Sequence, residues 1–312
     1  MDLQLGPIRR MSLTIIIPTK NRFLDLEIAL TSITSQIRSP DQLVLIDQSD
    51  NPIPILTLES IRSRLPDSSA LDYIYDIRIS GLVEAKHVGV LHATGDIVCF
   101  LEDDIILEPE YLSQIEASFL ADPEMCGMSG VVTNPPRSSR AYVFFHEIFH
   151  RGIFDDPRPR VYADLARRNS SVLQTHSTRS PALSGGLSAW RRKVFERVSF
   201  DLTSGFHMIE DIDFSIRVQR EFGPYLYINP SARLAHNCAP AGRDSAGRKE
   251  SRKVREFITF YKKHRRDSRD TFWLAWLLLG IALASCTESI RYRTFKPILG
   301  LFEGFVGGLQ KK

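Results

Sequence analysis

Closely spaced cysteines are missing from this sequence, and so is a strong excess of one charge. The four cysteines are Cys99, Cys126, Cys238 and Cys286. They lie too far apart in the sequence to form a zinc-binding or redox motif. Free thiols in a reducing compartment are therefore expected. Lysine and arginine outnumber aspartate and glutamate by only 40 to 37, which does not indicate a nucleic-acid partner. The N-terminus has no apolar run long enough for a signal peptide, so we expect a cytosolic protein.

A glycine-rich nucleotide-binding loop is also missing. The segment after the first apolar run reads PTKNRF (18–23). It has neither the glycine fingerprint of dinucleotide-binding folds nor the GK[ST] ending of a phosphate loop. Any nucleotide that this chain binds must therefore be held by other residues.

Apolar, β-branched runs alternate with helical patterns over the first 121 residues. Strands are predicted at 13–18, 42–47, 71–77 and 96–101, and helices at 23–36, 53–64, 81–95 and 109–121. This βαβαβαβ order indicates a parallel, doubly wound sheet, in which ligands bind beyond the carboxyl ends of the strands. The pattern weakens over 137–180. Beyond it we predict a helix at 210–221, a short strand at 225–230 and a basic helix at 249–264.

Three consecutive acids, Glu102, Asp103 and Asp104, end the fourth predicted strand. Adjacent carboxylates repel one another and are poor strand formers, so a cation is expected beside them. Hard carboxylate oxygens suit Mg²⁺ or Mn²⁺, which would neutralise charge on a diphosphate leaving group. The alternative is a solvated acidic turn, which does not explain why the acids end a buried strand.

Four segments, TIIIPTKNR, VLIDQSD, GLVEAKHVGVLHATGDIVCFLEDDI and EDIDFSIR, occur in this order within residues 12–240. Together they resemble family 2 glycosyltransferases. The resemblance implies an α/β GT-A fold, with a Rossmann-like, mostly parallel sheet flanked by helices. It also implies metal-dependent transfer of a sugar from a nucleotide-sugar donor, with inversion. We expect this domain over 1–240, with a variable acceptor region at about 137–180, and a helical appendage over 241–312.

The resemblance implies roles for the residues that follow the predicted strands. Asp104 is the expected metal ligand and Glu102 a second one, although the family more often has aspartate at that position. Asp103 and Glu102 are expected near the ribose or a metal-bound water. The nucleotide pocket is expected to contain Pro18, Thr19, Arg22, Asp47, Lys86 and Asp96. Lys86 stands where the family usually has arginine and would hold a phosphate as a point charge. Asp96 is explained equally well as a turn residue.

A second acidic cluster, IEDIDF (209–214), begins the predicted helix at 210–221. A hydroxyl that attacks an anomeric carbon needs a base to take its proton. The resemblance implies Asp211 as this base, with Glu210 assisting acceptor binding. The alternative is that both acids simply favour a helix N-terminus.

Four further positions are candidates for the same site. Gly185 and Gly186, in LSGGL, allow a close backbone approach by the donor sugar or the acceptor. His236 is a candidate metal ligand or a buried structural histidine. Arg243, in GRDSAGRK, is a candidate clamp on the diphosphate or part of a solvated loop.

The C-terminal 40 residues differ from the rest of the chain. FWLAWLLLGIALASC (272–286) carries no charge, but it is shorter than the roughly 20 residues that span a bilayer. The later PILGLFEGFVGGL places Gly300, Gly304 and Gly308 four apart. Such a face suits close helix packing, with Gly280 and Ala284 as candidate partners. Basic residues flank both segments, so we expect helices lying in the inner face of the membrane. The alternative is a helix pair in a soluble core.

The sequence therefore predicts an inverting glycosyltransferase that uses Mn²⁺ or Mg²⁺. Its expected acceptor is a hydroxyl of a glycan or of a polyprenyl-linked glycan at the cytoplasmic membrane surface. One rival is a nucleotidyltransferase of related fold, although PTKNRF lacks the glycines of such enzymes. The other is a catalytically inactive protein that only binds nucleotide sugars.

Overall fold

A computed structural model describes residues 10–135, 140–156, 158, 177–237 and 246–310 of the chain. Within these residues the chain forms two compact units. The first unit contains 10–135, 158, 177–200 and 210–237, and the second contains 140–156, 201–209 and 246–310. The expected division at residue 240 differs from this in one respect. The segments 140–156 and 201–209, expected in the first domain, belong to the second unit.

The described residues contain strands and helices whose bounds follow the predicted patterns closely over the first 121 residues. The strands are β1 Leu13–Thr19, β2 Gln42–Asp47, β3 Ala70–Tyr75, β4 Ile97–Leu101, β5 Ile105–Leu107, β6 Gly127–Val132, β7 Thr178–Arg179, β8 Leu187–Arg191 and β9 Leu226–His236. The α-helices are α1 Phe23–Thr34, α2 Ile55–Ser63, α3 Leu82–His92, α4 Tyr111–Ala121, α5 Arg140–Phe149, α6 Glu210–Phe222, α7 Ala246–His264, α8 Ser268–Tyr292 and α9 Lys296–Gln310. Two 3₁₀ turns lie at Gly152–Phe154 and Arg192–Glu196.

One nine-stranded sheet organises the first unit, in the order β3-β2-β1-β4-β8-β6-β9-β5, with β7 beside β9. The four strands from β3 to β4 are parallel, as the βαβ pattern predicts. In the other half the pairing is mixed. There, β6 runs parallel to β9, whereas β8 runs antiparallel to both β4 and β6, and β5 and β7 run antiparallel to β9. The chain in this half lacks the regular strand–helix alternation of the first half, so antiparallel pairs join it.

The core of the first unit lies on both faces of the sheet. All seven residues of β1 are buried, which fits a continuous apolar run. Because side chains alternate along a strand, Ile15 and Ile17 enter one apolar cluster and Ile16 enters the other. Trp190 belongs to the second cluster, where its ring meets Phe214 edge-on at 4.9 Å. Trp190 is therefore a core residue.

The parallel register brings the carboxyl ends of β1, β2 and β4 to one edge of the sheet. Thr19 pairs with Asp47 across β1 and β2. On the other side of β1, the Thr19 hydroxyl donates to Asp103 Oδ2 at 2.8 Å. The polar residues that follow these strands therefore lie together, where an open α/β sheet binds its ligands.

The second unit is helical in its described residues, and its glycines decide how the helices pack. A Cβ at Gly300 would lie 2.2 Å from the carbonyl oxygen of Gly247, and one at Gly304 would lie 2.4 Å from that of Ser251. The glycine face of α9 therefore packs on α7. This corrects the predicted contact with Gly280, because a Cβ at that position would meet the Phe149 ring at 2.4 Å.

Candidate active site

The acids after β4 meet a histidine from another strand. His236 Nε2 lies 2.8 Å from Glu102 Oε2 and 3.1 Å from Asp104 Oδ1. The antiparallel pairing of β5 with β9 sets Ile105 opposite His236 and so produces this contact. One ligand atom from each of these three residues lies within 4.8 Å of the others. Two carboxylate oxygens and one imidazole nitrogen fit a divalent cation such as Mn²⁺.

Two pKa values in this cluster depart from their ordinary range. Hydrogen bonds to Asp104 and then to Glu102 raise the pKa of His236 to about 10. The imidazolium is therefore the stable form near neutral pH when no metal is bound. Burial raises the pKa of Asp103 to about 6, against the opposing effect of its hydrogen bond from Thr19. A cation at this position would lower the energy of every carboxylate around it.

Arg22 lies directly after β1 and pairs with two of the acids. Its guanidinium nitrogens are 2.7 Å from Asp103 Oδ1 and 3.0 Å from Asp104 Oδ2. The preceding residue, Asn21, has a left-handed backbone with φ of 56°, which turns the chain back toward the strand ends. Arg22 was expected in the nucleotide pocket, and in this structure it forms ion pairs with Asp103 and Asp104.

A pocket of about 360 Å³ opens beside these strand ends, and its walls include Thr19, Asn21, Ser49, Asn51 and Pro52. Asp47 is fully buried next to it, and its carboxylate already accepts from the Tyr73 hydroxyl at 2.7 Å and from the Ser49 amide at 2.9 Å. Asp47 was expected in the nucleotide pocket, and in this structure its carboxylate oxygens are bonded to these two groups of the protein. The polar loop DQSDNP after β2 was the overlooked signal for Asn51 and Ser49.

Lys86 and Glu210 form a buried ion pair. Lys86 Nζ lies 2.9 Å from Glu210 Oε1, and the two side chains are 2% and 8% exposed. The ammonium also lies 5.8 Å from the ring centre of Phe100 and 6.0 Å from that of Phe200. Burial raises the pKa of Glu210, and the charge of Lys86 opposes this rise. In this structure Lys86 therefore contacts Glu210 rather than an open phosphate pocket.

Asp211 is the second residue of α6, and both of its carboxylate oxygens accept hydrogen bonds. Its Oδ1 accepts from the Ile212 amide at 2.8 Å, and its Oδ2 accepts from the Gly185 amide at 3.1 Å. Arg158 forms an ion pair with the same Oδ2 and also donates to the Leu183 carbonyl oxygen at 3.1 Å. Arg158 was not anticipated from the sequence, because it lies in the segment with the weakest pattern.

Gly185 and Gly186 join the two acidic clusters. A Cβ at Gly186 would lie 2.0 Å from Glu102 Oε1, and one at Gly185 would lie 2.5 Å from Glu210 Oε1 and 3.2 Å from Asp211 Cβ. The close approach predicted for these glycines is thus made by acid side chains of the protein. Consecutive Cα atoms are about 3.8 Å apart. This dipeptide therefore places the cluster of Glu102, Asp104 and His236 beside the first residues of α6.

Of the remaining expected site residues, Asp96 lies away from this edge of the sheet. Asp96 precedes β4 and accepts from the Ser12 amide at 3.0 Å and from the Ser12 hydroxyl at 2.8 Å. Roughly 20 Å of extended strand separates it from the acid end of β4. The turn explanation of Asp96 therefore fits, and a nucleotide contact does not. Pro18 is a buried strand residue opposite Ile46, and Arg243 lies outside the described residues.

The chain is similar to known proteins in both sequence and fold. The profile of Glycosyl transferase family 2 matches residues 14–198. Polypeptide N-acetylgalactosaminyltransferase 11 from Xenopus tropicalis is 25% identical over 199 residues, which are 58% of this chain and 31% of that protein. The inactive polypeptide N-acetylgalactosaminyltransferase-like protein 5 from Macaca fascicularis is 26% identical over 50% of this chain and 35% of its own length. The chain thus spans about a third of each of these curated relatives.

Two solved structures share the fold over nearly the whole chain. The mannosyltransferase PcManGT from Pyrobaculum calidifontis, in complex with GDP-Man and Mn²⁺, aligns with a TM-score of 0.59 at 18% identity, covering 97% of this chain and 88% of that one. The S. aureus TarS 1-349 fragment, in complex with UDP-GlcNAc, aligns with a TM-score of 0.60 at 14% identity, covering 96% and 81%. The GT-A fold predicted from the sequence is confirmed.

Proposed function

Because the chain belongs to glycosyl transferase family 2, we propose that it transfers a sugar from a nucleotide-sugar donor to a hydroxyl group, with inversion at the anomeric carbon. The observation that carries this proposal is the arrangement around Gly185 and Gly186. These glycines set the cluster of Glu102, Asp104 and His236 beside the carboxylate of Asp211. The cluster of Glu102, Asp104 and His236 suits a diphosphate with its cation. The carboxylate of Asp211 suits a hydroxyl that must lose a proton.

Glu102, Asp104 and His236 would hold the divalent cation. Bound there, Mn²⁺ or Mg²⁺ would neutralise the charge that develops on the leaving diphosphate. The protein's own part is to present two carboxylates and one neutral imidazole, so His236 must give up its proton. The carboxylate of Asp104, only 3% exposed, is oriented by Arg22 at 3.0 Å.

The pocket at the ends of β1 and β2 would receive the nucleoside. Its volume of about 360 Å³ falls within the range of small-molecule sites, roughly 300–1,000 Å³. Its amide and hydroxyl groups, from Asn21, Ser49 and Asn51, can donate to and accept from a base or a ribose. Asp47 would not contact the nucleoside itself. It would position the pocket residue Ser49, whose backbone amide donates to its carboxylate at 2.9 Å.

Asp211 would act as the base. Its carboxylate is held by the amides of Ile212 and Gly185 at 2.8 and 3.1 Å, so its orientation is fixed before an acceptor arrives. The proton of the acceptor hydroxyl would move to this carboxylate as the new glycosidic bond forms and the bond to the diphosphate breaks. A direct displacement of this kind inverts the anomeric centre. Arg158 shares Oδ2 with the Gly185 amide and must yield at least part of that contact.

Product analysis tests this proposal. The protein is incubated with Mn²⁺, a panel of UDP and GDP sugars, and glycan or polyprenyl-linked glycan acceptors, and the products are identified by ³¹P NMR. A transferase releases nucleoside diphosphate in step with acceptor glycosylation. Pyrophosphate release would indicate a nucleotidyltransferase. Donor binding without any product would indicate a catalytically inactive binding protein. One of the relatives is named as inactive.

A further inference from the structure

Two helices of the second unit carry unbroken rows of exposed apolar side chains. On α8 the row is Phe272, Ala275, Leu279, Leu283, Cys286 and Ile290. We call this the α8 stripe. The row that begins just before α9 is Phe295, Leu299, Phe302, Val306 and Leu309, which are 51% to 76% exposed. We call this the α9 stripe. Both rows advance by steps of three or four residues, so each follows one face of its helix.

The opposite faces of these helices are already used for packing inside the unit. The glycines of α9 lie against α7, where no side chain larger than hydrogen fits at Gly300 or Gly304. On α8, the Trp276 indole nitrogen donates to the Ile148 carbonyl oxygen at 2.9 Å, and a Cβ at Gly280 would touch Phe149. Each helix therefore has one face that packs inside the unit and a second, separate apolar face, the stripe, that is exposed.

Helix α8 is the one described helix whose length and composition would let it cross a bilayer. Its contacts argue against a span. It packs beside α7, which carries seven lysine and arginine residues, and Ser285 Oγ lies 3.5 Å from the Glu250 carboxylate of α7. A spanning helix would carry this charged neighbour into the hydrocarbon, where ionised side chains are expensive. The α8 stripe can contact lipid while the opposite face stays packed on the protein only if the helix lies along the membrane surface.

The turn between α8 and α9 has the composition of a membrane interface. Arg291, Arg293 and Lys296 are exposed there, together with the aromatic side chains of Tyr292 and Phe295. Aromatic residues favour the headgroup region, and lysine and arginine favour anionic headgroups. The described residues 246–310 contain 13 lysine and arginine side chains against six aspartate and glutamate side chains. Ten of these 13 positive side chains lie on α7 and residues 265–269, and α7 packs beside both helices that carry the stripes.

We propose that the α8 and α9 stripes form a monotopic docking surface for an anionic lipid bilayer. Both helices lie in the plane of one leaflet, with the stripes in the acyl boundary and the turn among the phosphates. A second copy of this chain is a poorer occupant, because contact through this turn would bring six positive charges together. This proposal does not depend on the proposed reaction, and catalysis on a water-soluble acceptor would leave it intact.

Vesicle sedimentation of the full chain tests the docking surface. The protein is mixed with vesicles of phosphatidylcholine alone or with phosphatidylglycerol. Wild type should sediment with the anionic vesicles, and high salt should release only part of it because the apolar contribution is not screened. Leu279→Glu with Leu283→Glu, or Leu299→Glu with Phe302→Glu, should weaken partitioning about tenfold or more, since a charge enters the acyl boundary.

Matched controls separate lipid docking from general surface effects. Leu91→Glu changes a leucine that is 72% exposed on α3 of the first unit and should leave partitioning unchanged. Arg291→Gln with Lys296→Gln should weaken binding to anionic vesicles only at low salt. The docking surface is refuted if wild type ignores anionic vesicles, or if the stripe variants bind as well as wild type. It is equally refuted if light scattering shows a dimer that the stripe variants split, without vesicle binding.

Depth measurement tests the flat orientation of α8. Leu279 lies near the middle of this helix, 49% exposed. A fluorophore is attached to Leu279→Cys after Cys238 and Cys286 are replaced by serine, while Cys99 and Cys126 are buried. A helix in the interface places the label near the headgroups, so lipids with a shallow nitroxide should quench it most. Strongest quenching by nitroxides at the bilayer centre would mean that α8 spans, and the monotopic proposal would be wrong.

Discussion

Lys86 Nζ lies 2.9 Å from Glu210 Oε1, and both side chains are buried beneath the start of α6. The two residues are 124 positions apart in the chain. This contact ties α3 to the helix that carries Asp211. An ion pair in such surroundings loses hydration on both partners, so each charge depends on the other. The pair therefore helps to fix the position of Asp211 relative to α3.

Removal of Lys86 should cost much of the stability of the first unit. We expect Lys86→Met to lower the free energy of unfolding by about 3–5 kcal/mol, because it leaves a buried carboxyl without its partner. Since burial already raises the pKa of Glu210, this carboxyl should then bind a proton more tightly in the folded state than in the unfolded state. The stability of the variant should consequently fall as pH rises above the ordinary glutamate pKa. Denaturant unfolding at several pH values measures both effects.

Two controls accompany this variant. Lys86→Met with Glu210→Gln removes both charges and should recover part of the lost stability. Arg78→Met breaks an exposed pair with Asp76 and should leave unfolding close to wild type, because surface ion pairs contribute little. If Lys86→Met were as stable as wild type, the pair would not support the site.

Replacement of the proposed base should separate chemistry from binding. Asp211→Asn keeps the shape of the side chain but cannot take a proton, so turnover should fall by about 10² to 10⁴. Donor and metal affinity should stay close to wild type, because the donor-side ligands are other residues. Calorimetry of donor binding beside steady-state kinetics checks this. Near-normal turnover would assign the base to another group.

Arg158 should tune the same base. It pairs with the Asp211 carboxylate. Arg158→Gln keeps a hydrogen-bond donor and removes the charge, so it should loosen the ion pair that an acceptor hydroxyl must displace at Asp211. The turnover number should therefore change while donor affinity stays close to wild type, which steady-state kinetics beside calorimetry measures. Kinetics identical to wild type would mean that Arg158 has no influence on the base.

Metal binding should release a proton from His236. Before metal binds, its pKa is raised from 6.5 to about 10 by Asp104 and Glu102, so the imidazolium competes with the cation at neutral pH. The apparent metal affinity should therefore rise with pH until about pH 10. Calorimetry in buffers of different ionisation enthalpy should count about one proton released per metal ion. A proton count of zero at pH 7 would contradict the assignment of His236.

The same histidine should affect metal-free stability in a defined pH window. Its folded-state pKa is raised, so its pairing contributes fully below pH 6.5 and is lost as pH rises through about 10. The stability difference between wild type and His236→Gln in chelator should shrink over that range. A difference that does not change with pH would show that the pairing is absent in solution.

Gly186→Ala should damage the metal site while leaving the fold in place. The new Cβ would lie 2.0 Å from Glu102 Oε1, and this partly exposed side chain would have to move. We expect metal affinity to fall about 10- to 100-fold, as when an orienting contact of a ligand is lost. Gly307→Ala is the control, because its nearest neighbour is Arg255 Cδ at 3.6 Å. It should leave metal affinity unchanged.

Local patterns in the sequence predicted the parts of this molecule that depend on one segment at a time. The apolar runs at β1, β2 and β4 identified buried parallel strands, and the acids after β4 identified the functional edge. Contacts between segments that are far apart in the sequence could not be predicted in this way. The contact of Arg158 with Asp211, for example, spans 53 positions. Asp96 was a candidate only through the resemblance, because the strand order already places it at the amino end of β4, away from the edge that binds ligands. The glycine repeat of α9 predicted close packing but not that its partner is α7.

The most direct test of the central claim is turnover of the nucleotide-sugar donor as a function of divalent cation, in wild type, Asp104→Ala and Asp211→Asn. Nucleoside diphosphate release and donor binding are measured on the same samples. We predict that wild type needs the cation, that Asp104→Ala loses metal-dependent donor binding, and that Asp211→Asn binds the donor but turns it over at least about 100-fold more slowly. Full turnover in excess chelator, or by both variants, would contradict a metal-dependent transferase built on these two carboxylates.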